Sequence, residues 1–244
     1  MHQLVPEPGP VLDVLASLAD DNRPVPAHRP WVMANMVMSI DGAFAVDGRS
    51  GALGTPGDRT VFHSLRALAD VILVGAGTAR DEHYRRPVAA ADAAAIRSER
   101  GQEPAARLVL VSRRGLIPDD QPFLTGDGPD PLLVHAQPLP AVVPAGVDTL
   151  ECPDAAGGVD LPGLLGHLRS DGAQLVLCEG GPGLLGELHR QDLVDELFVT
   201  VSPRLVGGRS VGLLGSGPAL LRARRLHRLW RDEKDALFST YRRP

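Results

Sequence analysis

The apolar residues of this chain fall into short, near-continuous runs separated by polar and glycine-rich segments, the pattern of strands buried on both faces. Residues 31–40, WVMANMVMSI, form the first run and close on the turn pair Asp41-Gly42. Runs at 71–74, 108–111, 132–134 and 175–178 repeat the pattern, with weaker ones at 147–150, 197–201 and 236–241. Between them the spacing changes to helical. Val61, Phe62, Leu65 and Leu68 make one apolar stripe, opened by Thr55-Pro56-Gly57-Asp58 with a capping hydroxyl, a proline and an early acid. Residues 161–168 and 183–189 predict further helices, and Val11, Leu12, Val14, Leu15 and Leu18 a short one before the proline-bearing stretch 23–30. The Ala-rich, charged stretch 87–106 reads as a surface helix or a mobile connection.

Strands alternating with helices predict βαβ units, hence an α/β fold with a mostly parallel sheet and helices on both faces. Strands crowd together near the C-terminus, which predicts an antiparallel edge there. We expect one domain over residues 31–244 behind an N-terminal extension, 1–30. Only 4% of residues are aromatic against 43% hydrophobic, so the core is built from aliphatic side chains. The net charge of −5 argues against general affinity for nucleic acid. Cys152 and Cys178 have no metal-ligand spacing, so no metal is expected. No run approaches the ~18 apolar residues of a membrane span, and the N-terminus lacks signal-peptide features, so the expected location is cytoplasmic.

The polar and glycine residues worth notice stand at strand ends, where ligands of open α/β sheets bind. The run 175–178 ends at Glu179, and Gly180-Gly181-Pro182-Gly183 leads into a helix. Such a turn either presents bare N–H groups to a phosphate or simply needs glycine for its backbone angles. Glu179 either binds a polar ligand group or caps nearby backbone. A second glycine turn, Gly75-Ala76-Gly77-Thr78, offers a hydroxyl to a phosphate or to a helix cap. Ser112-Arg113-Arg114 ends another strand and suits the 2′-phosphate that separates NADPH from NADH; a solvated turn is the plainer reading. Arg59, His63 and Arg66 share a helix face, as a phosphate site or as a surface ion-pair face.

These segments together resemble the reductase domain of bacterial riboflavin biosynthesis, whose fold is like that of dihydrofolate reductase. The matching motifs are MSIDG (38–42), Ser50-Gly51 before TPGDR, FHSLRALADVILVGAGT (62–78), LVLVS (108–112) and CEGGPGLLGELHRQDLVDEL with FVTVSPRLVGG (178–208), all in the family's order. The resemblance implies that Ser50, Arg66 and Glu179 hold substrate, with Glu179 the catalytic-site carboxylate, and that Asn35 and Arg86 lie on the substrate side. It implies a cofactor site at Met38, Ala52, Thr78, Glu82, Ser112, Arg113, Gly180, Gly181, Pro182, Gly183, Leu184 and Leu185. The implied reaction moves a hydride from NADPH to the ribosyl carbon of 5-amino-6-(5-phosphoribosylamino)uracil. Asn35 stands where the family usually has Lys, Ala52 replaces an aromatic, and Glu82 replaces Asp. The deaminase signature H-x-E…P-C-x-x-C does not occur in the sequence. A dihydrofolate or other pterin reductase, and a non-enzymatic NADP-binding protein, are the alternatives. The partners expected are a small-molecule substrate and, from the apolar C-terminal strands, a second copy in a homodimer.

Overall fold

The computed structural model describes residues 1–139, 143–208, 212–215 and 217–244. In chain order the elements are β1 (His2–Val5), β2 (Gly9–Pro10), α1 (Val14–Ala19), β3 (Trp31–Ser39), α2 (Pro56–Leu68), β4 (Val71–Gly75), α3 (Ala76–Asp81) and α4 (Ala94–Glu99). Then follow β5 (Arg107–Ser112), β6 (Leu132–His135), β7 (Asp148–Glu151), α5 (Leu161–Ser170), β8 (Leu175–Cys178), α6 (Pro182–Arg190), β9 (Glu196–Ser202), β10 (Arg225–Arg231) and β11 (Leu237–Arg242). The chain forms two compact units. One comprises Met1–Asn22, Val32–Leu65 and Pro182–Pro244, and the other Arg23–Trp31 and Arg66–Gly181.

The second unit is parallel throughout, in the strand order β8-β4-β5-β6-β7. Strands β4, β5, β6 and β8 are continuous apolar runs of the sequence, and β7 is an exposed edge strand. Ile72, Val74, Leu108, Leu110 and Leu133 pack with Ala79 and Phe123 in one cluster. Burying such side chains contributes roughly 1.5–3 kcal/mol each, which is why two-sided apolar strands settle here. Asp160 caps α5 by accepting from Gly163 N–H, and Leu161 and Leu164 press into the core. The stretch 87–106 contains α4, and it is pinned. Arg97 is buried, and donates to the carbonyls of Glu103, Ala67 and Ala69.

In the first unit the order is β2-β1-β10-β11-β9-β3, antiparallel except for the parallel pair β3 and β9. The expected antiparallel strands near the C-terminus are therefore present. Thr55 caps α2, its hydroxyl accepting from Asp58 N–H at 3.1 Å. Three strands fall outside the sequence expectations, β1, the two-residue β2 paired with it, and β10. β1 pairs with β10 across nearly the whole length of the chain, so residues 2–5 belong to a sheet. β10 has the sequence RLHRLWR, with Arg228 and Trp230 buried. An inward arginine hides the period-two pattern of a strand.

That arginine is held by residues from the other end of the chain. Arg228 grips Asp21 with two 2.8 Å hydrogen bonds and stacks over the Trp230 ring at 4.9 Å. Arg242 joins Asp21 to Glu196, and His227 also meets Asp21. Both partners in the Arg228–Asp21 pair are about nine-tenths buried, with side chains 10% and 8% exposed. Removing one member of such a pair leaves a buried charge alone, at a cost of about 3–5 kcal/mol. Asp21→Ala should therefore lower the urea midpoint of unfolding by a corresponding amount, and Arg228→Met should cost less, because Asp21 keeps Arg242 and His227 beside it. Equal midpoints for Asp21→Ala and the parent would contradict this role.

Candidate active site

Glu179 follows β8 at the carboxyl end of the parallel strands, its N–H bonded to Leu73 O at 3.0 Å. Its carboxylate is fully engaged. Arg66, in the last turn of α2, donates Nε to Oε1 and Nη2 to Oε2, both at 2.7 Å. Tyr84 donates its hydroxyl to Oε2 at 2.6 Å, and the Arg66 guanidinium lies over the Tyr84 ring, 5.3 Å from its centroid. The two-pronged fork is the strong geometry for a guanidinium and a carboxylate. The Glu179 side chain is 2% exposed and that of Arg66 26%, so the accessible part of the pair is the arginine side chain and not the carboxylate. Burial acts to lower the Arg66 pKa, but Glu179 and Tyr84 more than offset it and hold the guanidinium charged. Burial, followed by the Glu179 charge, pushes the Tyr84 hydroxyl well above its ordinary range. Tyr84 was not among the residues singled out from sequence.

The two glycine turns of the sequence lie against each other. Gly75 N–H donates to Gly180 O at 2.8 Å. A Cβ on Gly181 would stand 2.5 Å from Thr78 Oγ1, so only glycine leaves the hydroxyl its place. Gly180 has φ +87°, the left-handed region that favours glycine. Thr78 lies inside α3, and the N-cap of that helix is Gly75, which makes no side-chain bond. The capping alternative for Thr78 is thereby removed. The Gly180-Gly181 backbone thus cradles the Thr78 hydroxyl, which takes the space a side chain at position 181 would need. Cys178 beside it is inert, its thiol pushed up to about 12 by burial.

At the end of β5 the Ser112 hydroxyl accepts from Gly115 N–H at 3.1 Å, closing a turn that leaves Arg113 and Arg114 exposed. Glu82 forms the C-cap of α3 and is half-buried. Arg86 corrects an expectation. Its guanidinium donates to the carbonyls of Phe123, Leu124 and Gly146 and pairs with Asp130, and its side chain is 9% exposed. An arginine with its donors spent on backbone carbonyls holds its own loops together, not a substrate phosphate. Sequence alone could not tell it from Arg85, which is exposed.

The remaining expected residues belong to the other unit. Asn35 and Met38 lie on β3, Ser50 and Ala52 in the turn before α2, and Pro182, Gly183, Leu184 and Leu185 open α6. Asn35 is buried, and its Oδ1 has no hydrogen-bond partner among the described residues. It borders a cavity of about 10 Å³ shared with Thr200, Ser239 and Thr240, room on the scale of one water. Asp41 is a turn residue, as its sequence suggests. It accepts from Ser39 Oγ and from the N–H groups of Gly207 and Val206, and these bonds lower its pKa to about 2.

The reductase of 2,5-diamino-6-ribosylamino-4(3H)-pyrimidinone 5′-phosphate from Archaeoglobus fulgidus is 27% identical over 83% of this chain and 94% of its own. The protein of the same name from Methanothermobacter thermautotrophicus is 30% identical over 79% of this chain and 86% of its own. A pyrimidine reductase-like protein from Corynebacterium diphtheriae has a solved structure that superposes with a TM-score of 0.82, over 95% of this chain and 98% of that one. At 23% identity that likeness speaks for the fold. The profile of the RibD C-terminal domain matches residues 30–238, and the chain belongs to that family.

Proposed function

We propose that this chain is an NADPH-dependent reductase of a 6-ribosylamino-pyrimidine 5′-phosphate in riboflavin biosynthesis. The observation that carries the reading is the Arg66–Glu179 pair at the carboxyl end of β8, in the same unit as the glycine cradle at Gly180-Gly181. The names of the archaeal relatives support the substrate class, and favour the 2,5-diamino form over the uracil form weighed from sequence. The two forms differ at ring position 2.

In this reading NADPH, when bound, supplies a hydride to C1′ of the ribosyl group. The C1′–O4′ bond breaks, O4′ takes a proton, and the sugar becomes ribityl. The protein's task is orientation and charge. Arg66, held flat by Glu179, meets an anionic group of the substrate. Thr78 and the Gly180-Gly181 backbone take a cofactor phosphate, with no side chain to keep it off. The exposure of Arg113 at the end of β5, behind the closed Ser112 turn, supports a contact to the 2′-phosphate. Ser50 and Asn35 enter on the substrate side by resemblance alone.

NADPH should bind more tightly than NADH, and Arg113→Ala should remove most of the difference. A lost charge-assisted bond costs ~1.5–3 kcal/mol, or about tenfold to a hundredfold in Kd by titration. Equal constants for the two cofactors in the parent protein would contradict the assignment. Purified protein should oxidise NADPH with the diaminopyrimidinone phosphate and not with dihydrofolate. Glu179→Gln should lower kcat/KM at least ~10-fold, equivalent to ~1.4 kcal/mol, and leave NADPH affinity unchanged. Activity confined to dihydrofolate would move the assignment to a pterin reductase.

A further inference from the structure

We propose that Tyr84 is a positioning residue that fixes the plane of the Arg66 guanidinium, and so sets the affinity of the site for a phosphate on the substrate. The inference rests on the preceding section only in taking that phosphate to be part of a ribosyl ligand.

Tyr84 is itself firmly placed. It follows α3, where its N–H donates to Ala79 O at 2.8 Å, and His83 turns the chain through a left-handed φ of 56°. Its ring packs on the cluster of Ile72, Val74, Leu108, Leu110 and Phe123. From that base it makes two contacts of different kinds. The hydroxyl bonds Glu179 Oε2 at 2.6 Å, and the ring face lies under Arg66 Cζ at 5.3 Å. The carboxylate fork constrains the guanidinium in its own plane, and the ring bars it from tilting out. Together they restrict a long side chain that would otherwise sample many rotamers.

The chemistry of the hydroxyl fits a fixed donor and not an acid or base. Burial and the Glu179 charge hold it protonated far above neutral pH. Its proton therefore stays on oxygen and remains directed at Glu179. Glu179 in turn is 2% exposed against 26% for Arg66, so within the ion pair the more open member is the arginine, which Tyr84 and Glu179 orient. Arginine gains over lysine only where its fork is pre-set, because then little freedom is lost on binding an oxyanion.

The test is calorimetric titration of the full-length protein with ribose 5-phosphate and with ribose. The parent should prefer the phosphate ester. Tyr84→Phe keeps the ring and removes only the hydroxyl, and should weaken ribose 5-phosphate about five- to tenfold while leaving ribose unchanged. In an Arg66→Ala background the same substitution should have no further effect. In turnover Tyr84→Phe should raise KM with kcat kept. Arg66→Lys, which retains the charge and loses the fork, should fall with Tyr84→Phe, and it tests the idea even if Tyr84→Phe does not fold. Four outcomes each overturn the proposal: no preference for the phosphate ester in the parent, parent-like affinity in folded Tyr84→Phe, a full-sized effect of Tyr84→Phe without Arg66, or parent-like affinity in Arg66→Lys. If the titrations behave as expected and no ribosylamino-pyrimidine is reduced, the function assigned above fails and the role of Tyr84 stands.

Discussion

A carboxylate buried at the end of a parallel strand is costly unless it is paired and hydrogen-bonded, and Glu179 is both. Its side chain is 2% exposed, and its oxygens receive three hydrogen bonds from Arg66 and Tyr84. This requirement organises the surroundings. Arg66 must end α2 where its fork reaches β8, and α3 must stop after six residues so that the chain can turn at His83 and deliver Tyr84. Loss of Glu179 would leave a partly exposed guanidinium, a milder fault than an isolated buried charge.

Beside this fixed trio the same strand end carries groups kept small. Gly75 and Gly180 bond backbone to backbone, and Gly181 leaves room for the Thr78 hydroxyl. Arg86 belongs to the support and not to the chemistry, since its carbonyl bonds tie Phe123, Leu124 and Gly146 together.

The central parallel strands β4, β5, β6 and β8 could be read from the sequence because both their faces are buried, so each appears as an apolar run, whereas the exposed edge strand β7 gave only a weak one. Helix α2 could be read from its cap, Thr55, and its stripe. β1 and β10 could not, because β1 has four residues and β10 places Arg228 inward, neutralised by Asp21 from the far end of the chain. At the site, Glu179, Arg66, Thr78 and the glycine turn were legible as residues, but their contacts were not. Tyr84 was missed because it stands in a polar loop beside Arg85 and Arg86, outside any periodic pattern. Its signal was compositional, since the chain has only two tyrosines. Arg86 was misread for the converse reason, as an arginine in a loop looks available until its carbonyl partners are seen.

The central claim is that this family member transfers a hydride to the ribosyl carbon of a pyrimidine phosphate. It is tested most directly by incubating the protein with NADPH deuterated at the nicotinamide C4 position, one stereoisomer at a time, and 2,5-diamino-6-ribosylamino-4(3H)-pyrimidinone 5′-phosphate. Mass spectrometry of the product should show one deuterium from one of the two labelled forms, located at C1′ of a ribityl chain. Consumption of the cofactor with no deuterium at C1′, or an unchanged ribosyl compound after prolonged incubation, would contradict the account.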